Sequence, residues 1–296
     1  MKQLQKNIMI GLLRKTAVLY FLLAGGLQSC VNLDHVSNFA SSSLKSVRNF
    51  EVIDYSFKQS CLDNCLDKKI IELSLTPLDC SCMDDEKADN ATFKIYRAVE
   101  GYFNGLTNLS NNNLTNYKMD VLLKGLTERD LKSIKIEKAQ AEAYSTISNI
   151  LLNAFTGRYR KHKMKEYLKS GNEPLKVLIS CLDFNLSANL TGKLNVRKQK
   201  IKDYYFDLTK ENKLSAFEKR EAAQEYYQQL NEIDGKLSVI TTYSKTLKKI
   251  AVGHQKLTDN LEKINDDKIK EQLTQYSSDI QDLGSEFNKI TIKWQS

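Results

Sequence analysis

An all-α fold follows from three features of the chain: scarce punctuation, a helix-forming composition, and apolar stripes that step by threes and fours. Only two prolines, Pro77 and Pro174, and 12 glycines interrupt 296 residues. With Lys, Glu, Leu and Gln abundant, so few turn formers favour long helices over a many-turned β protein. An apolar share of 41% suits thin helical layers with much surface. The expected architecture is an elongated bundle of about six or seven helices, with long coiled-coil-like antiparallel helices near its C-terminus.

The elements follow in order. After Cys30, helical spacing of Val36, Phe39, Ala40, Leu44 and Val47, then Ile53, Phe57, Leu62 and Leu66, predicts helix from residue 31 to about 74. The β-branched and aromatic residues at 50–57 leave a strand open there. Thr76-Pro77 ends the element. A second helix is predicted over 84–109, with Phe93, Tyr96, Val99, Phe103 and Leu106 on one face, before a turn at 110–113. Thr127-Glu128-Arg129-Asp130 is a capping-box variant opening a helix that extends towards Leu168. Ser170-Gly171-Asn172-Glu173-Pro174 reads as a helix stop and a division between residues 30–171 and 172–296. The stretch 174–190 is apolar on several faces and is expected to be the most buried helix, with a kink at Gly192.

The last third is the most regular. Ser215-Ala216-Phe217-Glu218 is a capping box. From it runs the stripe Tyr226, Leu230, Ile233, Leu237, Ile240, Leu247, Ile250, His254, Leu257, Leu261, Ile264, with Ser244 its polar gap. The phase survives Gly235 and Gly253, which predicts one helix through both. Asn265-Asp266-Asp267 breaks it, and a second stripe (Leu273, Tyr276, Ile280, Leu283, Phe287, Ile290, Trp294) predicts an antiparallel partner.

Charge is uninformative about partners. The chain has 44 Lys and Arg against 36 Asp and Glu, and four of the cations precede residue 30, leaving a body of +4. So mild a balance gives no reason to expect nucleic acid. The basic run Arg158, Arg160, Lys161, Lys163, Lys165 is expected to be a solvated helix face, or secondarily a patch for anionic lipid headgroups.

The chemistry that stands out is in the cysteines. Cys61 and Cys65 sit one helical turn apart, and Pro77 lets the chain return to bring Cys80 and Cys82 alongside. Two disulfides are expected, and antiparallel nesting favours Cys61–Cys82 with Cys65–Cys80. A four-thiolate zinc site is the alternative, although spacings of three residues and one miss the usual two-residue knuckle. Asp63, Asp67, Asp79, Asp84, Asp85 and Glu86 crowd these thiols and are expected to form a solvated rim, lacking a calcium-loop ladder. Cys181 is expected to be a buried small hydrophobe. His35 falls in the expected tether, His162 in the basic run and His254 on the seam, where packing is its expected role. Tyr204, Tyr205, Tyr226 and Tyr227 are fillers or a ligand platform. No phosphate loop, nucleophile elbow or metalloprotease pair occurs, so no catalytic residue, metal or cofactor is assigned and a non-enzymatic role is expected.

Residues 1–29 are laid out as a signal peptide: Lys2, Lys6, Arg14 and Lys15, then the apolar run Ala17 to Ala24, then Gly25-Gly26. An uncleaved anchor helix over 8–27 is the other reading, interrupted by Arg14 and Lys15. Leu27-Gln28-Ser29-Cys30 resembles the lipobox of bacterial lipoproteins, with Gln28 departing from the usual small residue. The resemblance implies that Cys30 is the lipid-attachment residue and new N-terminus, holding the body at a membrane in the cell envelope. In layout the body is similar to helical envelope lipoproteins of the Bacteroidetes type, a likeness that implies no activity. The function expected is a scaffold or protein-interaction module; the alternative is a metal- or redox-responsive binder built on Cys61, Cys65, Cys80 and Cys82.

Overall fold

The computed structural model describes residues 33–77, 79–111, 125–154, 160–210 and 214–295. Cys30 and the leader lie outside them. Eight helices and one minimal hairpin are present among the described residues: α1 (Asp34–Val47), α2 (Phe57–Ile71), α3 (Met83–Asn111), β1 (Arg129–Asp130), β2 (Lys135–Ile136), α4 (Lys138–Ala154), α5 (Arg160–Phe184), α6 (Thr191–Lys210), α7 (Ala216–Asp259) and α8 (Asp267–Gln295). The all-α expectation holds, and Leu33–Ser296 forms one compact unit.

The long hairpin is as the stripes require. Helix α7 runs 44 residues, about 66 Å, straight through Gly235 and Gly253. Its N-terminus carries the expected capping box, with Ser215 Oγ accepting from the Glu218 N–H and the Glu218 carboxylate accepting from the Ser215 N–H. Ser215→Ala should therefore cost about 1 kcal/mol in urea unfolding, and Lys289→Ala on the exposed side of α8 should cost less than half of that. Helix α7 ends at Asp259, one turn before the stripe does. Residues 260–266 then reverse the chain, and the two helices pack antiparallel, with Lys249 on Asp279 at 2.7 Å and Tyr243 against Phe287.

Around this hairpin the other helices close a single core. Helix α1 lies against α3, α7 and α8. Ten of its 14 residues are buried, so α1 and not the 174–190 stretch is the most enclosed helix. Its serines account for the difference: such small side chains let three helices approach. Ser42 bonds Ser277 at 2.7 Å, and Ser46 donates to the Ile280 carbonyl. His35, expected in a tether, is buried here too. After α1 the chain makes a 3-10 turn (Arg48–Val52) and a loop, not the strand left open at 50–57.

Three further expectations are corrected. The helix start at Thr127 is instead the β1–β2 hairpin, with Arg129 opposite Ile136. Leu131, Ile134 and Ile136 pack beneath it, and α4 begins only at Lys138. The stop at 170–174 gives way to continuous helix. Helix α5 carries Pro174 in its interior, where the lost bond to the Ser170 carbonyl is offset by burial of Leu175, Leu178, Ile179 and Leu182. Gly171 is not a cap but a contact: a Cβ there would collide with the Tyr102 ring. Finally, the expected kink at Gly192 is a π-helical turn just before it (Asn185–Leu190), in which Thr191 Oγ1 donates to the Leu186 carbonyl. Phe184, assigned to the apolar stretch, is 60% exposed.

Candidate functional site

The four cysteines pair as nesting predicts. Cys61–Cys82 and Cys65–Cys80 are disulfides, with S–S distances of 2.07 and 2.00 Å. All four thiols are thereby consumed, which leaves no thiolate for the zinc alternative, and no group of three metal-ligating side chains occurs among the described residues. The acids around them are only partly a solvated rim. Asp63 and Asp67 are held by a fork from Arg197, whose Nη1 donates to Asp63 Oδ2 and Nε to Asp67 Oδ2, both at 2.8 Å. Asp85 is buried beside Lys193 and Ser133, while Asp84 pairs with Lys87 and Glu86 with Lys58. Nothing local to the cysteines points to Arg197, which lies 130 residues from Asp67.

A second tertiary device holds the same hairpin. Ser56 Oγ caps α2 at the Gln59 N–H, and the Asp89 carboxylate of α3 accepts from the N–H groups of Phe57 and Lys58 at 2.8 and 2.9 Å. Only Phe57, Ser60 and Asp63 of α2 are buried. Bridges, fork and cap do the work that an apolar face does elsewhere.

His254 is a packing residue, as its seam position suggests. Its ring sits against Tyr102 and Phe103, with Nε2 2.8 Å from the Tyr102 hydroxyl and Nδ1 3.2 Å from Asn172 Oδ1. Burial drops its pKa to about 3. Tyr102, wholly enclosed, is pushed well above the usual phenol range, so it stays a donor to Nε2. The Asn172 oxygen then accepts from Nδ1–H, and both ring nitrogens are satisfied in one neutral tautomer. Burial also lowers the pKa of His35. Cys181 is the free thiol of the described residues, buried and pushed up to about 11. The side chain of His162, like those of Arg158, Arg160 and Lys161, lies outside the described residues; Lys165 pairs with Glu262 at 2.6 Å.

One opening was not anticipated. A groove of about 710 Å³ lies between the loop at Val52–Tyr55, one face of α7 and Thr291 near the end of α8. Helix α7 contributes residues on successive turns: Gln224, Tyr227 and Gln228, Asn231 and Glu232, then Gly235, Lys236 and Val239. This face is open because α7 extends beyond α8, a consequence of their antiparallel register. Tyr55 is nearly buried, its phenol pushed up to about 12 by burial, and Lys236 Nζ sits 4.9 Å over its ring while pairing with Glu232. Tyr227 stands 64% exposed. Of the four tyrosines singled out in sequence, Tyr204, Tyr205 and Tyr226 pack against the core, and Tyr227 alone faces this opening. It is the one local signal that could have found the groove, being the aromatic that leaves the seam phase.

Comparison with protein-family models, curated proteins and solved structures finds no match to this chain. What the fold and its openings define is a disulfide-stapled helical bundle with an amphipathic groove.

Proposed function

We propose that the chain is a lipid-anchored, non-enzymatic binding module of the cell envelope, tethered through Cys30 and engaging its partner at the groove beside Tyr55 and Tyr227. The observation that carries the exported reading is the pair of nested bridges in an exposed hairpin, a feature that persists in oxidising compartments. The resemblance of Leu27 to Cys30 to a lipobox supplies the tether. No described helix is long and apolar enough to cross a membrane.

Geometry within the body suits such a tether. The first described residues lie beside Asn111 and Ile264, since Ser37 bonds Asn111 and His35 meets the Ile264 backbone. The bridges sit at the opposite end of α3, a helix of 29 residues and about 43 Å. The groove lies at that far end too, beyond the C-terminus of α1. Cys30 is three residues from Leu33, a reach of at most about 11 Å.

Two measurements test the proposal separately. Cys30→Ala should abolish fatty-acid labelling and leave an unprocessed precursor; labelling that survives overturns the anchor. A photoreactive residue replacing Tyr227 in growing cells should give discrete adducts that the same residue at position 289 does not. Identical patterns from both positions would overturn the module.

A further inference from the structure

We propose that the groove binds a neutral oligosaccharide chain, an inference that rests on the binding-module reading and names the ligand class of that site. The first support is the unspent hydrogen-bonding capacity of its wall. Gln224, Gln228 and Asn231 follow one another along α7, and none of their side-chain amides bonds another described residue. Each amide carries an acceptor oxygen and a two-hydrogen donor, which matches a hydroxyl that both donates and accepts. Carbohydrates present such hydroxyls in repeating pairs. Hydrocarbon ligands present none, and would leave these amides desolvated without partners at a cost.

Charge narrows the class further. Glu232 pairs with Lys236, leaving Asp54 as the other acidic side chain of the lining. A phosphate-rich or polyanionic ligand would meet a carboxylate with no spare cation, so nucleotides and anionic headgroups are disfavoured. A neutral polyol accepts the same carboxylate as a strong hydrogen-bond acceptor.

Shape supplies the third argument. The lining positions on α7 span 224 to 239, about 22 Å, so the opening is a trough that fits several rings end to end. Its volume is within the usual range for a small-molecule site. The exposed Tyr227 ring offers a flat apolar face for the C–H side of a sugar ring, with Val52 and Ile53 across from it. An extended peptide also presents paired donors and acceptors, but it calls for a strand edge or deep side-chain pockets. The wall of the trough is instead a helix face whose own backbone bonds are already spent.

The test is calorimetric titration of the purified full chain with maltotetraose, cellotetraose, tetra-N-acetylchitotetraose and, as the peptide arm, tetra-alanine. At least one tetrasaccharide should bind, and Tyr227→Ala and Gln228→Ala should each weaken it about tenfold or more. Both residues are exposed, so far-ultraviolet circular dichroism should stay unchanged and a folding defect is separable. Exclusive binding of tetra-alanine, lost in Gln228→Ala, would overturn the glycan class while leaving the module reading standing. Silence of all three sugars at millimolar concentration would also overturn it, whereas the module reading falls only with the photocrosslinking result.

Discussion

Reducing Cys61–Cys82 and Cys65–Cys80 should destabilise the protein by about 2–5 kcal/mol, and the loss should be confined to the hairpin between residues 57 and 82. The closed loops, with sequence separations of 21 and 15, set the order of magnitude through the entropy returned to the unfolded chain. Nesting keeps the pair below the sum of two independent bridges. Local confinement follows from how little else holds α2. Its outward stripe of Leu62, Leu66 and Ile70 is 37%, 43% and 44% exposed, so beyond Phe57 at its start the helix has little apolar area to lose. Without the bridges it hangs on the Asp89 cap and the Arg197 fork. Amide hydrogen exchange should therefore accelerate through 57–82 while α1 and α8 keep their protection. A chelator added to oxidised protein should change nothing. Acceleration spread evenly over the body would show that the hairpin is integral to the core, and release of a bound metal would reinstate the thiolate site. In unfolded, unreduced protein the described residues should offer a single titratable thiol, Cys181.

How far the chain could be read from sequence depended on the range of the interactions. Helix α7, its capping box and its reversal before α8 were legible because each is specified by residues within one or two turns. The cysteine pairing was legible because a short hairpin admits one nested arrangement. By contrast, Gly171 and Pro174 carry local stop signals that tertiary packing overrides: Tyr102 fills the space a side chain would need, and the leucines beyond Pro174 hold the helix straight. Helix α1 was legible as a helix but not as the most enclosed one, because burial of its serines depends on three neighbouring helices that no local pattern announces. Thr127 looked like a cap because Leu131 and Ile134 are too few to distinguish a helical face from the underside of a hairpin. Arg197 and the groove share one obstacle. Their parts come from segments far apart in the chain, and only the antiparallel register of α7 with α8 brings Thr291 to the face that starts at Gln224.

Acid should unfold this protein through His254. The imidazole has an ordinary pKa near 6.5 in the unfolded chain and about 3 in the fold, because burial penalises the charged ring. Below pH 6.5 the unfolded state therefore binds a proton that the folded state refuses, and stability falls as pH falls. The slope is about 1.4 kcal/mol per pH unit until the folded pKa is reached, which amounts to roughly 3 kcal/mol by pH 4. Above pH 6.5 the contribution is fully present and flat. No neighbour can soften the penalty: Tyr102 donates to one nitrogen, Phe103 covers the ring, and Asn172 offers the other nitrogen an uncharged amide. His35, whose pKa burial also lowers, adds a dependence of the same sign, so the wild-type curve alone does not isolate the effect. The comparison is with His254→Gln, which has no proton to gain. Whatever its stability at pH 7, this variant should lose about 3 kcal/mol less than wild type between pH 7 and pH 4 in urea titrations. Parallel pH curves for the two proteins would mean that water reaches the ring, and the buried tyrosine–histidine–asparagine chain would then have to be redrawn as an open one.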